Sequence, residues 1–346
     1  MAEQWPLGAQ ERRYKALFER CGAFWRQPAE SWAALCRAAR GAGVQDIPAD
    51  PPTRMDSVLT EADFFTDNGP DAVCFRHLRY CPAFLHRLEC IKILYVRRGS
   101  ATLCLDDEKH ELNAGNFCIL TPGIRHTVSA CSDEDVIVNL LTRVSSFAGT
   151  FSALLMEQNC LSDFFWQLLY TPHSNRALLF FCPNDPRLDR WIEKMLEESA
   201  RKENAGALLM KSYVMIFLGL VMRDHLRELH VGEAPADTVY PLPAILQAMR
   251  QDLKTITPEA LCSRFHMGGD ELKRYIVDES GYTYRYLLRD LRLRRAAELL
   301  RGTNWSTEQI LEEIGYSNSS HFYRSFKERF GKTPRDFRQS GGNILI

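Results

Sequence analysis

No Cys-x-x-Cys pair occurs in this chain of 346 residues, although it has eleven cysteines. Zinc-ribbon and dithiol redox chemistry are thereby set aside. The count is odd, and ten of the eleven precede residue 183. Several (Cys90, Cys104, Cys118) lie in apolar runs, where a reduced thiol packs as a small hydrophobe. The N-terminal stretch MAEQWPLGAQERRYK lacks the apolar core of a signal peptide. A long uncharged run is missing too: the most hydrophobic stretch, Ala207 to Met222, is short for a membrane span and contains Lys211. The expectation is a cytoplasmic protein with no membrane partner. Net charge is nearly absent as well, at −1. Its distribution is uneven, because residues 240–346 carry 17 Lys+Arg against 13 Asp+Glu. A basic C-terminal part on an acidic remainder fits a nucleic-acid-binding module joined to something that does not touch nucleic acid.

What is present is clearest in Ile310 to Phe337, ILEEIGYSNSSHFYRSFKERFGKTPRDF. Ser306 with Gln309 forms a capping box, and Ile310, Leu311 and Ile314 follow at helical spacing. Gly315 ends that helix and Asn318 caps a second, in which Phe322, Phe326 and Phe330 fall on one side. At 100° per residue, Ser320, Arg324 and Lys327 point away from Phe322, flanked by Ser319, His321 and Tyr323. An apolar-backed helix with such an outer face can enter a major groove.

The segment repeats at an offset of fifty residues. Leu272 matches Phe322, Arg274 matches Arg324, Ile276 matches Phe326, Gly281 matches Gly331 and Thr283 matches Thr333. A first helix-turn-helix thus runs from Thr257-Pro258 to about Ser280, and a linker helix from Tyr284 to Arg301 carries six arginines. The first unit opens its second helix with Asp270-Glu271, acids that repel phosphate unless one accepts from a cytosine amino group, and retains Lys273 and Arg274 for DNA. The second unit is expected to be the stronger anchor.

Gly315-Tyr316-Ser317, Phe322, Arg324, Phe326-Lys327, Phe330-Gly331, Thr333-Pro334 and Phe337-Arg338 resemble the C-terminal signature of the AraC family of transcription regulators. Upstream, short apolar runs from Ala72 to Leu141 are separated by turn residues, the pattern of a small β-barrel or jelly roll. The run LYVRRGSATLCLDDEKHELNAGNFCILTPGIRH is similar to the cupin-type sensor domain of many AraC-family regulators. The resemblance implies an α+β multidomain protein. Its parts are a helical N-terminal extension (1–60), a cupin-like sensor (61–183), a helical pair suited to dimerisation (184–230), a linker (231–243) and a double helix-turn-helix domain (244–340).

Metal-binding cupins carry His-x-His-x3-Glu and a later His; here those positions are His86, Leu88, Lys92 and His126. Two imidazoles beside an ammonium make a poor divalent-metal site, so neither metal nor cofactor is expected. His86, Lys92 and His126 are the ligand-binding candidates. Lys92 suits an anionic ligand or an internal ion pair, or else lies at the barrel mouth and reaches water. The DNA-binding candidates are Ser319, Ser320, His321, Arg324, Lys327, Lys273 and Arg274. The function implied is sequence-specific binding of double-stranded DNA under control of a small-molecule effector, in a homodimer, with RNA polymerase as a further partner. The alternative is a constitutive regulator with a vestigial sensor and a first helix-turn-helix used for protein contacts. A third reading is a metal-dependent cupin enzyme fused to a DNA-binding domain.

Overall fold

The apolar run beginning at Ile91 becomes a strand buried over its first six residues in the computed structural model. The structure describes residues 5–25, 27–44, 47, 58–66, 69–106, 108–144, 161, 164–165, 168, 177–201, 205–231 and 241–339. Two units emerge, residues 1–146 with 175–234 and residues 147–174 with 235–346. In the first, the strands are β1 (Val58–Leu59), β2 (Ala72–Arg76), β3 (Arg87–Leu88), β4 (Ile91–Arg98), β5 (Ser100–Leu105), β6 (Glu108–Asn113), β7 (Phe117–Leu120), β8 (His126–Ser129), β9 (Val136–Thr142), β10 (Ala177–Phe180) and β11 (Leu229–Val231). They form a six-stranded sheet ordered β11-β10-β7-β4-β9-β2, a three-stranded sheet β6-β5-β8 and the short pair β1-β3. This is the cupin-like β-architecture expected.

Strand β4 lies between β7 and β9 and is buried on both faces, which is why, Lys92 apart, Ile91 to Val96 are apolar rather than alternating. Successive residues still point to opposite sides. Leu94 and Val96 join Leu103, Leu112, Leu120, Val128 and Ile137 in the interior between the sheets. By the same parity Lys92 belongs to that side. Tyr95 belongs to the other, where its ring lies 6.3 Å from Phe217 and Phe117 lies 5.6 Å from it. Gly99 turns the chain from β4 to β5 with φ of +71°, and a Cβ there would collide with Asp135 Oδ1.

Helices α1 (Ala9–Trp25) and α2 (Trp32–Gly41) account for the helical spacing at the N-terminus. Tyr14 is fully buried, and Glu11 pairs with Arg79 at 2.9 Å with both residues buried. Burial raises the Glu11 carboxyl, and the Arg79 guanidinium and backbone N–H groups outweigh it, leaving the group below its usual range. Behind the large sheet lie α3 (Pro186–Ala200) and α4 (Gly206–Asp224). The periodicity predicts a second helix continuing to Leu229, within the 184–230 helical pair, but α4 stops at Asp224. His225 leaves helical geometry, and its Nε2 lies 2.9 Å from Oδ2 of Asp185, the cap of α3. Residues Leu229–Val231 then return to the sheet beside β10. By length and composition α4 could cross a membrane. In this structure Met210, Val214, Phe217, Leu218 and Val221 are buried, and Lys211 pairs with Asp71 at 2.6 Å. The Phe- and Leu-rich stretch 151–170 lies almost wholly outside the described residues.

The second unit contains α5 (Pro241–Gln251), α6 (Pro258–Phe265), α7 (Gly269–Ser280), α8 (Tyr284–Gly302), α9 (Thr307–Ile314), α10 (Ser319–Phe330) and α11 (Pro334–Gln339). Helix α5 begins inside the 231–243 stretch that reads as linker; residues 232–240 lie outside the described ones. The fifty-residue repeat is visible in three dimensions. Both α7 and α10 have 12 residues, and Leu272, Ile276 and Ser280 are buried where Phe322, Phe326 and Phe330 are.

Candidate DNA interface and barrel site

The second helix-turn-helix follows the chemistry of its caps. Ser306 Oγ accepts from Gln309 N at 3.2 Å while Gln309 Oε1 accepts from Ser306 N at 2.8 Å. Asn318 Oδ1 accepts from His321 N at 2.9 Å and starts α10. With Phe322, Phe326 and Phe330 buried, Ser319, Ser320, His321, Arg324 and Lys327 are all exposed. Among the described residues none of these five has a carboxylate partner. The His321 ring stacks on Tyr316 at 5.9 Å. The outer face of α10 is therefore polar, basic and open.

The turn before α10 is set by close packing. Gly315 has φ of +73°, and a Cβ there would lie 2.7 Å from Lys254 Cα, in the chain between α5 and α6. Arg292 of α8 donates to Leu253 O of that same stretch through Nε (2.9 Å) and Nη2 (2.6 Å). Asp290, also on α8, is buried between Arg294 Nε at 2.6 Å and Arg329 Nε of α10 at 2.8 Å. Burial pushes the Asp290 carboxyl up, and the two guanidiniums more than reverse that, holding it below the carboxylate range. These clamps escape a reading of the outer faces. The only sequence sign of Asp290 is its i,i+4 spacing to Arg294.

The first helix-turn-helix has the same frame and a different surface. Thr257 Oγ1 caps α6 at Ala260 N, 3.2 Å away. The turn residue His266 is left-handed, with φ of +54°. Glu271 Oε2 accepts from Gly268 N at 3.1 Å, so this acid serves the helix start. Lys273 Nζ lies 3.3 Å from Asp270 Oδ1, whereas Arg274 is exposed with no acid on it among the described residues. The Lys273 pair is exposed and weak. It nonetheless sets a carboxylate beside one of the two cations that would meet DNA.

In the barrel unit, His86, Lys92 and His126 do come together. A backbone bridge joins His86 and His126, their rings lie 4.4 Å apart, and Lys92 Nζ is 3.0 Å from His126 Nε2. His126 Nδ1 donates to Ile124 O at 3.1 Å, which leaves Nε2 as acceptor for the ammonium. Lys92 is 5% exposed, so it does not reach water at the barrel mouth. Its hydrogen-bond partner is an imidazole, not an acid. Burial brings Lys92 down to about 8 and His86 to about 4, in the latter case helped by the charge of Lys92. His126 is held well below its ordinary value by burial, then by Lys92 and His86. His77, which no motif marks, is brought to about 3 by burial of its ring and by the same cation. Its Nε2 is buried and has no hydrogen-bond partner among the described residues. Because His126 Nε2 already accepts from Lys92, the trio offers a metal at most one free imidazole edge; it does offer an anion a buried ammonium.

The buried ammonium has a cost that alkali relieves. The Lys92 pKa is depressed on folding, to about 8, so between there and its ordinary value of about 10.5 the unfolded chain holds more protons at this group and its contribution to stability rises with pH. A gain of about 2–3 kcal/mol over that window is expected, since each tenfold difference in proton affinity is worth about 1.4 kcal/mol. Urea titrations of the wild type and Lys92→Met between roughly pH 7.5 and pH 10 check it. Buried thiols such as Cys74, Cys90 and Cys118, pushed up by burial, lower stability over the same range in both proteins. The expected result is therefore a gain of the wild type on the variant by that amount, and parallel curves would remove Lys92 as a source.

Two family models match the chain, a helix-turn-helix domain over residues 261–340 and a cupin domain over residues 78–142. Among curated relatives, the HTH-type transcriptional activator RhaR of Mannheimia succiniciproducens is 26% identical over 279 residues, covering 80% of this chain and 94% of that protein. The HTH-type transcriptional activator RhaS of Escherichia coli is 22% identical over 293 residues, covering 84% of this chain and 99% of its own. A solved structure of ToxT from Vibrio cholerae aligns over 78% of this chain and 94% of that one, at 18% identity and a TM-score of 0.32.

Proposed function

We propose that this chain, an AraC-family DNA-binding transcription regulator with a cupin-type domain, activates transcription from a specific DNA site in the cytoplasm when an anionic small molecule occupies its barrel. The observation that carries the DNA reading is the open face of α10, where Ser319, Ser320, His321, Arg324 and Lys327 stand exposed on a buried row of phenylalanines. Arg324 is the base-reading residue with the largest expected share, because a guanidinium can bond two acceptors of one guanine. Lys273 and Arg274 add phosphate contacts, weakened at Lys273 by Asp270. The anionic effector is favoured by Lys92, whose buried ammonium has no carboxylate neighbour among the described residues and a neutral imidazole as its partner. The chain acts as a regulator rather than an enzyme. Leu208, Leu209 and Ile216 are exposed on α4, 66%, 39% and 39% respectively, and form the surface on which a second copy would dimerise. RNA polymerase is the partner that activation requires.

Arg324→Ala tests the base reading. Affinity for the cognate site, measured by fluorescence anisotropy, should fall roughly 10- to 100-fold, the equivalent of about 1–3 kcal/mol for a bidentate arginine–guanine contact. Affinity for unrelated duplex should change little. Equal losses on both duplexes would make Arg324 a backbone contact. The effector half is tested by promoter binding with a panel of carboxylates and phosphate esters, wild type against Lys92→Met. A response that survives in the variant would move the ligand elsewhere.

A further inference from the structure

The six arginines predicted to decorate the linker helix α8 are not equivalent once their partners are known. Arg294 is held by Asp290 at 2.6 Å and Arg295 by Glu298 at 3.0 Å. Arg292 is turned to Leu253 O, and Arg301 lies over the Phe337 ring at 4.7 Å. Arg285 and Arg289 are left. Among the described residues neither meets a carboxylate, and the contact seen for Arg289 is the face of Tyr286, 5.3 Å away. Both line one cleft of about 560 Å³ in the second unit.

That cleft has a definite chemical sign. Arg285, Arg289 and Arg292 enter it from α8, and no Asp or Glu lines it. Its opposite wall is the turn and first residues of α10, including Tyr316, Asn318 and His321. The N-terminus of a twelve-residue helix adds partial positive charge there. Cations and a helix start on one open cleft select an extended anion. The position says which one. His321 belongs both to the cleft wall and to the exposed face of α10, so an occupant of the cleft runs along the flank of whatever α10 enters.

We propose that this cleft is a phosphate seat: it takes the sugar-phosphate backbone of the DNA strand beside the major groove read by α10, with Arg285 and Arg289 as its counter-charges. The inference rests on α10 as the groove-reading helix. It assigns to the linker helix a direct share of DNA affinity, beyond its role as a spacer between two readers. Phosphate contacts position a protein without reading sequence, so the seat strengthens cognate and non-cognate binding alike.

The experiment is a salt titration of duplex binding with the full chain, comparing wild type, Arg285→Ala/Arg289→Ala, Arg285→Lys/Arg289→Lys and Arg295→Ala. Each phosphate contact contributes about 0.9 to the slope of log affinity against log salt. The double alanine variant should lose close to 2 from that slope and weaken on cognate and random duplex by the same factor. The lysine variant should keep most of the slope, and Arg295→Ala, whose charge already has a partner, should match wild type. Circular dichroism melts identify a variant that has unfolded. In that event ethylation of single phosphates on cognate DNA replaces it, and interference at one or two positions flanking the α10 half-site is the supporting result. An unchanged slope, or no ethylation interference there, overturns the seat. So does normal DNA binding with lost activation, which would assign the cleft to a protein partner. Arg324→Ala keeps the two readings apart: if it leaves discrimination intact while the double variant loses slope, the base reading falls and the seat stands.

Discussion

Acidification from about pH 6.5 to pH 5 is expected to unfold the barrel unit while the helix-turn-helix unit remains folded. The rings of His77, His86 and His126 are enclosed near a lysine and are held neutral, at about 3, about 4 and well below the ordinary value. In the unfolded chain each returns to about 6.5. Their folded values are depressed, so below that point the unfolded state binds more protons and stability falls as pH falls. At pH 5 each imidazole contributes about 2 kcal/mol of loss, or up to about 6 kcal/mol for three, comparable with the whole stability of a domain. Among its described residues the second unit has His266 and His321, both exposed, and no such trap. Circular dichroism and tryptophan fluorescence over a fall to about pH 4 should therefore show two transitions, the first belonging to the barrel. Replacing His77 by leucine should move that first midpoint to lower pH and reduce the proton uptake measured by calorimetry in two buffers. A single transition shared by both units would refute the account.

Asp290→Ala is expected to be among the more damaging single changes in the DNA-binding unit. The carboxylate is buried and accepts from Arg294 on its own helix and Arg329 on α10. Removing it takes from two guanidiniums the carboxylate they share, and breaking a buried pair in this way costs about 3–4 kcal/mol. Both arginines keep some access to water, which places the value toward the lower end of the usual range. Asp290 joins α8 to α10, so the loss should appear as a lower melting temperature of this unit and as weakened DNA binding. Asp290→Asn, which keeps the shape and loses the charge, should lie between. A melt unchanged in both variants would mean that the clamp contributes nothing.

Much of this arrangement is legible in the sequence because the determinants are local. The strands beginning at Ile91, Ala101 and Phe117 are bounded by glycine, aspartate and asparagine, and both helix-turn-helix units by caps within three residues. The exposed residues of α10 follow from 100° per residue once Phe322 is taken as buried. Three things are not legible, for a common reason. The end of α4 at Asp224 is set by Asp185, about forty residues away. The role of Asp290 depends on Arg329, which lies in another helix. His77 has no pattern around it and reaches Lys92 only through the folding of the sheet. The trio His86, Lys92 and His126 emerges from the resemblance to cupins. What resemblance cannot supply is that Lys92 lies inside with an imidazole, rather than an acid, as its partner.

The close approach at Gly315 has a consequence for the DNA as well as for the protein. Where the turn of the second helix-turn-helix touches the backbone of Lys254 there is no room for a methyl group, and Arg292 holds the residue next to it. The second helix-turn-helix and the segment leading into the first are thus pressed together, and on the proposed reading that contact makes them a gauge with two jaws on DNA. A gauge of that kind measures length: operators whose two half-sites are phased to its interval are expected to bind best. Base pairs inserted between those half-sites would turn one of them away from its jaw, and weaker binding is the expected result.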